Sequence, residues 1–206
     1  MAITTYAELK TAIANWLNRD DLTSAIPDFI TSAEAQMQRD VRHYKMMQRS
    51  TAPIDSRYTA VPPTWLETVR FHLVGDKSQR LELTSMDDML QLREERGGTS
   101  GRPTHYAHIG DSLEVFPTPD AEYDAELLYY EKIPVLSDSN TTNWLLEFAP
   151  DLYLYGSLVH SAPYLKDDER IQVWATLYTT ALQGLNNQSE SARFGGSGIR
   201  MRVRAY

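Results

Sequence analysis

The sequence predicts an α+β fold: a discontinuous helical bundle from N- and C-terminal helix pairs, a β-rich inserted module and an extended C-terminal arm. Three observations predict it. Apolar residues recur at helical spacing in residues 1–45 and again in 142–190. Between them, residues 46–141 carry short β-branched and aromatic runs broken by Gly, Pro, Asp and Ser, with one helix among them. Residues 191–206 hold four arginines and no acid, with glycines before an alternating end.

The first helix is announced by Thr5-x-x-Glu8, a capping box in which each side chain satisfies a free backbone N–H of the first turn. Tyr6, Leu9, Ile13, Trp16 and Leu17 form its apolar stripe, and it ends near Asn18. A second helix begins around Pro27, since a first turn does not need the missing N–H. It turns Phe29, Ala33, Met37 and Val41 to one face and leaves Glu34, Arg39 and Arg42 for solvent or a neighbour. The short link predicts an antiparallel pair.

Strands are expected at 46–53, 68–74, 80–83, 104–109, 112–116 and 123–133, with hairpin turns at Gly75-Asp76 and Gly110-Asp111. Ser85-x-x-Asp88 starts a helix that Gly97-Gly98 stops. Helical signals return at Trp144. Residues 151–162 are apolar on nearly every side, as in a helix buried all round, and Gly156 would let another helix approach. Pro163 ends that helix, Asp167, Asp168 and Glu169 open the last one, and Asn186-Asn187 closes it. Each helix pair is too small to bury its own stripe, so the two pairs are expected to pack together.

The arm carries a formal charge of +4, which leaves −12 on the rest of a chain whose total is −8. Gly195-Gly196-Ser197-Gly198 is a hinge by composition. Beyond it Ile199, Met201 and Val203 alternate with Arg200, Arg202 and Arg204, which is the period of a strand. A lone strand leaves its backbone unpaired, so this segment needs a sheet edge or groove, in this chain or in another. Arg193, Phe194, Ile199, Arg200, Met201, Arg202, Val203, Arg204 and Tyr206 are the candidate partner-binding residues.

Cysteine is absent, which excludes disulfides, thiolate metal sites and cysteine nucleophiles. The acidic balance opposes general adhesion to DNA or an anionic membrane. No apolar run reaches the roughly 18 residues that span a bilayer, and the start lacks a signal peptide's pattern. His105 and His108, three apart on a predicted strand, point to opposite faces and are poorly placed to share a metal. The paired carboxylates Asp87-Asp88 and Glu94-Glu95 read as solvated helix ends, and the glycine stretch lacks the lysine of a phosphate loop. No catalytic residue, cofactor or metal ligand is expected.

Tyr6-x-x-Leu9, Trp16-Leu17-Asn18-Arg19-x-Asp21-Leu22 and Ile26-Pro27-Asp28-Phe29-Ile30 stand in a suggestive order. Pro62-x-x-Trp65-Leu66, Gly101-x-Pro103-x-x-Tyr106, Phe116-Pro117-x-Pro119, Tyr129-Tyr130 and Leu152-Tyr153-Leu154-Tyr155-Gly156 follow them. From residue 4 to 187 the chain resembles tailed-bacteriophage head-to-tail adaptor proteins, the tail tubular protein A type of short-tailed phages. The resemblance implies a helical bundle with a β-rich insertion. It also implies a virion protein assembled in the host cytoplasm, as a ring of typically twelve copies. That ring lies between the portal protein and the tail nozzle or tail tube and lets DNA pass without sequence-specific binding. It further implies that the arm extends along the portal, and an acidic wall would not hold sliding phosphate. Two other readings compete: a DNA-binding virion protein gripping phosphate with its Arg-rich tail, and a phage-associated cell-wall hydrolase with two carboxylates in a cleft.

Overall fold

A computed structural model describes residues 3–75, 78–165 and 169–194 and shows an α+β chain. It divides into two compact units, Met1–Lys45 with Ile133–Tyr206, and Met46–Lys132. The expected module reached residue 141, but 133–141 fall with the helices. Hydrogen bonds explain the shift: the Gln38 amide donates to Ile133 O at 2.6 Å and accepts from Ile133 N–H at 3.0 Å. Glu34 Oε1 accepts from Leu136 N–H at 2.8 Å. Helix side chains satisfy this segment's backbone, as strand partners would in a sheet.

In the helical unit, α1 (Tyr6–Leu17) opens with the reciprocal capping box of Thr5 and Glu8 and stops at Asn18, whose φ of 54° is left-handed. Tyr6, Leu9, Ile13 and Leu17 are buried, whereas Trp16 is 46% exposed. Pro27 sits in the first turn of α2 (Ile26–Asp40), which buries Phe29, Ala33 and Met37. Asn143 caps α4 (Trp144–Phe148) by accepting from Leu146 N–H at 2.8 Å. The central helix is α5 (Pro150–His160), on which α1, α2 and α7 (Arg170–Phe194) all pack. At Gly156 an added Cβ would lie 3.0 Å from Met37 Cε, 3.2 Å from Tyr178 Cε2 and 3.4 Å from Ala33 Cβ, so glycine is what lets α2 and α7 close on α5.

Two helix ends differ from expectation. The break comes at Ser161, and Pro163 lies inside the short α6 (Ala162–Leu165). At the other end α7 passes through Asn186-Asn187 and continues to Phe194. Asparagine costs a helix only tenths of a kcal/mol. No glycine or proline follows until Gly195, and buried Ser189 holds the late turns. Asp167 and Asp168, expected to open this helix, lie outside the described residues.

Among the described residues the second unit contains two four-stranded sheets and one α-helix. Strand order in the first is β1 (Met47–Ile54), β8 (Tyr123–Glu131), β3 (Trp65–Leu73), β4 (Gln79–Arg80). The second runs β2 (Tyr58–Ala60), β7 (Ser112–Phe116), β6 (His105–Ile109), β5 (Glu82–Leu83). Phe71, Leu73, Tyr106, Leu113, Val115 and Leu127 belong to its main buried core. The opposite face of the second sheet, Ala107 and Phe116, packs on Met89 of α3 (Met86–Glu95). That is why β7 is buried on both faces.

The strand expected over 80–83 is two strands in different sheets, β4 against β3 and β5 parallel to β6, with buried Leu81 between them. Its three residues made β2 too short to show a period. Ser85 caps α3 by accepting from Asp88 N–H at 3.1 Å, and Gly97 and Gly98, both at positive φ, follow its end. Gly110, also at positive φ, turns the β6–β7 hairpin between paired Ile109 and Ser112. Asp76, in the other expected turn, lies outside the described residues.

Candidate partner-binding site at the end of α7

Arg193 and Phe194 are the last two residues of α7, so they are helical and not part of an extended arm. The helix carries on because nothing in 186–194 breaks it. Ile199, Arg200, Met201, Arg202, Val203, Arg204 and Tyr206 lie outside the described residues, as do the hinge glycines. What is described is the root from which that segment departs.

The root is anchored from within the helical unit. Ser189 is 2% exposed, and its Oγ accepts from Tyr44 N–H at 2.9 Å. Four residues earlier, Leu185 is buried as well. Next to Tyr44, fully buried His43 stacks on Trp144 with ring centroids 5.4 Å apart and meets Phe148 at 5.3 Å. Lys45 Nζ stands 4.4 Å from the Phe148 ring centroid, a cation–π contact. His43 Nδ1 accepts from Lys45 N–H at 3.3 Å, which assigns the proton of the neutral ring to Nε2. Burial, and then the charge of Lys45, hold its pKa below the usual histidine value. Alongside runs a groove of about 250 Å³ lined by Phe148, Ala149, Asp151, Ala181, Leu185 and others, with Asp151 its one acid. Neither His43 nor Ser189 was marked by spacing, because their partners come from distant parts of the chain.

A second buried polar group sits at the centre of the same unit. Glu34, expected to face solvent or a neighbour, is 6% exposed. Its Oε1 accepts from Leu136 N–H and from Tyr153 O–H at 3.1 Å. The Tyr153 oxygen in turn accepts from Asn143 Nδ2 at 2.7 Å, and that amide also donates to Pro134 O at 2.7 Å. The network joins α2, α5, the cap of α4 and the 133–141 segment. Its role is to position helices.

Burial raises the Glu34 pKa, opposed by the bonds from Leu136 and Tyr153. A raised folded pKa means that the stabilising contribution is complete below the unfolded value near 4.5 and is lost as pH rises through the folded pKa. Glu34→Gln keeps an acceptor and removes the charge. Thermal unfolding of both proteins between pH 4 and 8 should therefore show the variant gaining on the native chain as pH rises, and a gap that does not change with pH would refute this assignment.

The two neighbouring histidines are separated. His105 Nδ1 is 2.8 Å from Thr104 Oγ1, while His108 packs against Trp65 and Tyr106 on the core face of β6. Among the described residues no three His, Cys, Asp or Glu side chains gather as a metal site would require.

A family model described as SU10 adaptor protein matches residues 4–202. The match runs beyond α7 and takes in Ile199, Arg200, Met201 and Arg202. No curated protein matches the chain.

Proposed function

The chain belongs to the SU10 adaptor protein family, and from that premise we propose that it is a structural head-to-tail adaptor of a tailed phage. In this reading it forms a ring, typically of twelve copies, between the portal and the tail nozzle or tail tube. DNA passes through that ring without sequence-specific contact. The nearly full-length family match carries the reading. The architecture accords with it, since an α+β chain with an anchored final helix can present a terminal segment to a neighbour. Among the described residues no helix is long and apolar enough to cross a membrane.

The partner assigned to the arm is the portal. Arg200, Arg202 and Arg204 would meet acidic groups or carbonyls on it while Ile199, Met201 and Val203 fill pockets, as a strand added to an edge does. Arg193, Phe194 and Tyr206 flank that contact. The acidic remainder would keep phosphate from sticking to the ring.

The decisive variant ends at Phe194, which leaves α7 whole. It should melt like the full chain yet lose affinity for purified portal rings by more than about tenfold. Equal affinity would refute the arm's role. Negative-stain images of full chain mixed with portal would then show whether the ring forms there.

A further inference from the structure

Residues 171–189 of α7 contain no Asp, Glu, Lys or Arg, the longest such run in a chain that is 23% charged. The next longest, 152–165, spans the buried α5, where charge would have no solvent. Burial does not explain α7 in the same way. Its inner side holds Trp174, Tyr178 and Leu185, but Thr176, Thr179, Thr180, Gln183 and Asn187 are exposed. This uncharged outer strip is about 28 Å long.

The strip is also less polar than its residue types suggest. Thr176, Thr179 and Thr180 each donate their hydroxyl to the carbonyl four residues back, on Gln172, Ala175 and Thr176, at 2.9 Å. A hydroxyl already satisfied by its own helix has little hydration to lose when covered. The outer side of α1 repeats the pattern. Residues 11–18 are uncharged, Thr11 donates to Ala7 O at 3.0 Å, and Thr11, Asn15 and Trp16 are exposed. Trp16 lies edge-on to Tyr155 with nearly half its surface open. Both α1 and α7 pack on α5, and at one end they meet, where Arg170 donates to Trp16 O at 3.3 Å and leaves the Trp16 ring nearly half open.

Between copies that each carry −8, a contact that brings no further like charges together adds least to their mutual repulsion. Charged residues are also depleted, and tryptophan enriched, at the centres of protein contacts. We infer that the outer face of α7 in one copy docks on the outer face of α1 in the next, with Trp16 as the anchor. The contact is heterologous, so it propagates from copy to copy as a ring requires. It deepens the ring reading above and rests on it.

The absence of cysteine supplies the test. Full chain carrying Thr11→Cys and Thr180→Cys, at roughly 1 mM, is treated with a short bifunctional maleimide. The expected product is a ladder of dimers, trimers and larger species, with almost none from either single variant. Adding Thr179→Glu places an acid in the contact and should cut the ladder about tenfold, while the unfolding curve stays that of the parent. Absence of a ladder, dimers alone, or equal cross-linking by Thr180→Cys by itself would each overturn the contact. Portal binding by the full chain, measured separately, would survive such a failure, so loss of this contact and loss of the adaptor reading can be told apart.

Discussion

Replacing Gly156 with leucine should lower the stability of the helical unit by about 3 kcal/mol. The position lies inside α5, and a Cβ alone would already press on Met37 from α2 and Tyr178 from α7. The Met37 tip can swing aside, so Gly156→Ala should cost little, because the backbone entropy that alanine saves offsets about 0.5–1 kcal/mol of crowding. Leucine's further three carbons have nowhere to go without parting α5 from two helices at once. Denaturant unfolding of the three proteins measures this directly. A leucine variant within about 1 kcal/mol of the native chain would mean that the helices are not this close.

Arg93→Ala should cost the β unit a similar amount, about 3 kcal/mol. Glu114 of β7 faces α3 at 1% exposure, and Arg93 reaches it with Nη2 at 2.7 Å and Nε at 2.9 Å. The same guanidinium donates to Val115 O at 3.0 Å. Arg57 also bonds this carboxylate at 2.8 Å, but its side chain is 44% exposed and cannot replace a buried partner. Without Arg93 the carboxylate stays in a largely dry layer between the second sheet and α3. A double variant with Arg93→Met and Glu114→Leu should recover most of the loss, since what costs is a buried carboxylate left with the half-exposed Arg57 as its charged partner. If the double variant is no better than the single one, the loss arises from packing and not from the ion pair.

Local chemistry is legible in the order of residues alone. The Thr5 and Ser85 caps, the end of α1 near Asn18, the glycine pair after α3 and the Gly110 turn each depend on residues a few positions apart. The all-round apolar pattern of α5 and its glycine at 156 are legible too, although the helices that close on that glycine come from distant parts of the chain. Other features are not legible, for identifiable reasons. Glu34 reads as a surface residue on its own helix, because the groups that bury it lie 102 and 119 residues away. Residues 80–83 read as one strand because a strand's period does not say which sheet it joins. Asn186-Asn187 reads as a stop because the anchor at Ser189 comes from Tyr44, which lies 145 residues away.

The candidate site divides along the same line. Charge contrast and alternation mark Ile199, Arg200, Met201, Arg202, Val203 and Arg204 in sequence, since both are properties of neighbours along the chain. Tertiary structure decided that Arg193 and Phe194 are helical, with the late turns of α7 held through Ser189.

By itself the sequence determined an α+β chain, its helix caps and turns, its lack of thiol chemistry and its likeness to phage adaptors. Each of these follows from composition, order or contacts within one turn. Only the tertiary structure decided the two sheets and their order, the burial of Glu34 and Glu114, and the exposure of the uncharged sides of α1 and α7. Burial and pairing are set by residues that are distant in sequence, and no local period encodes them.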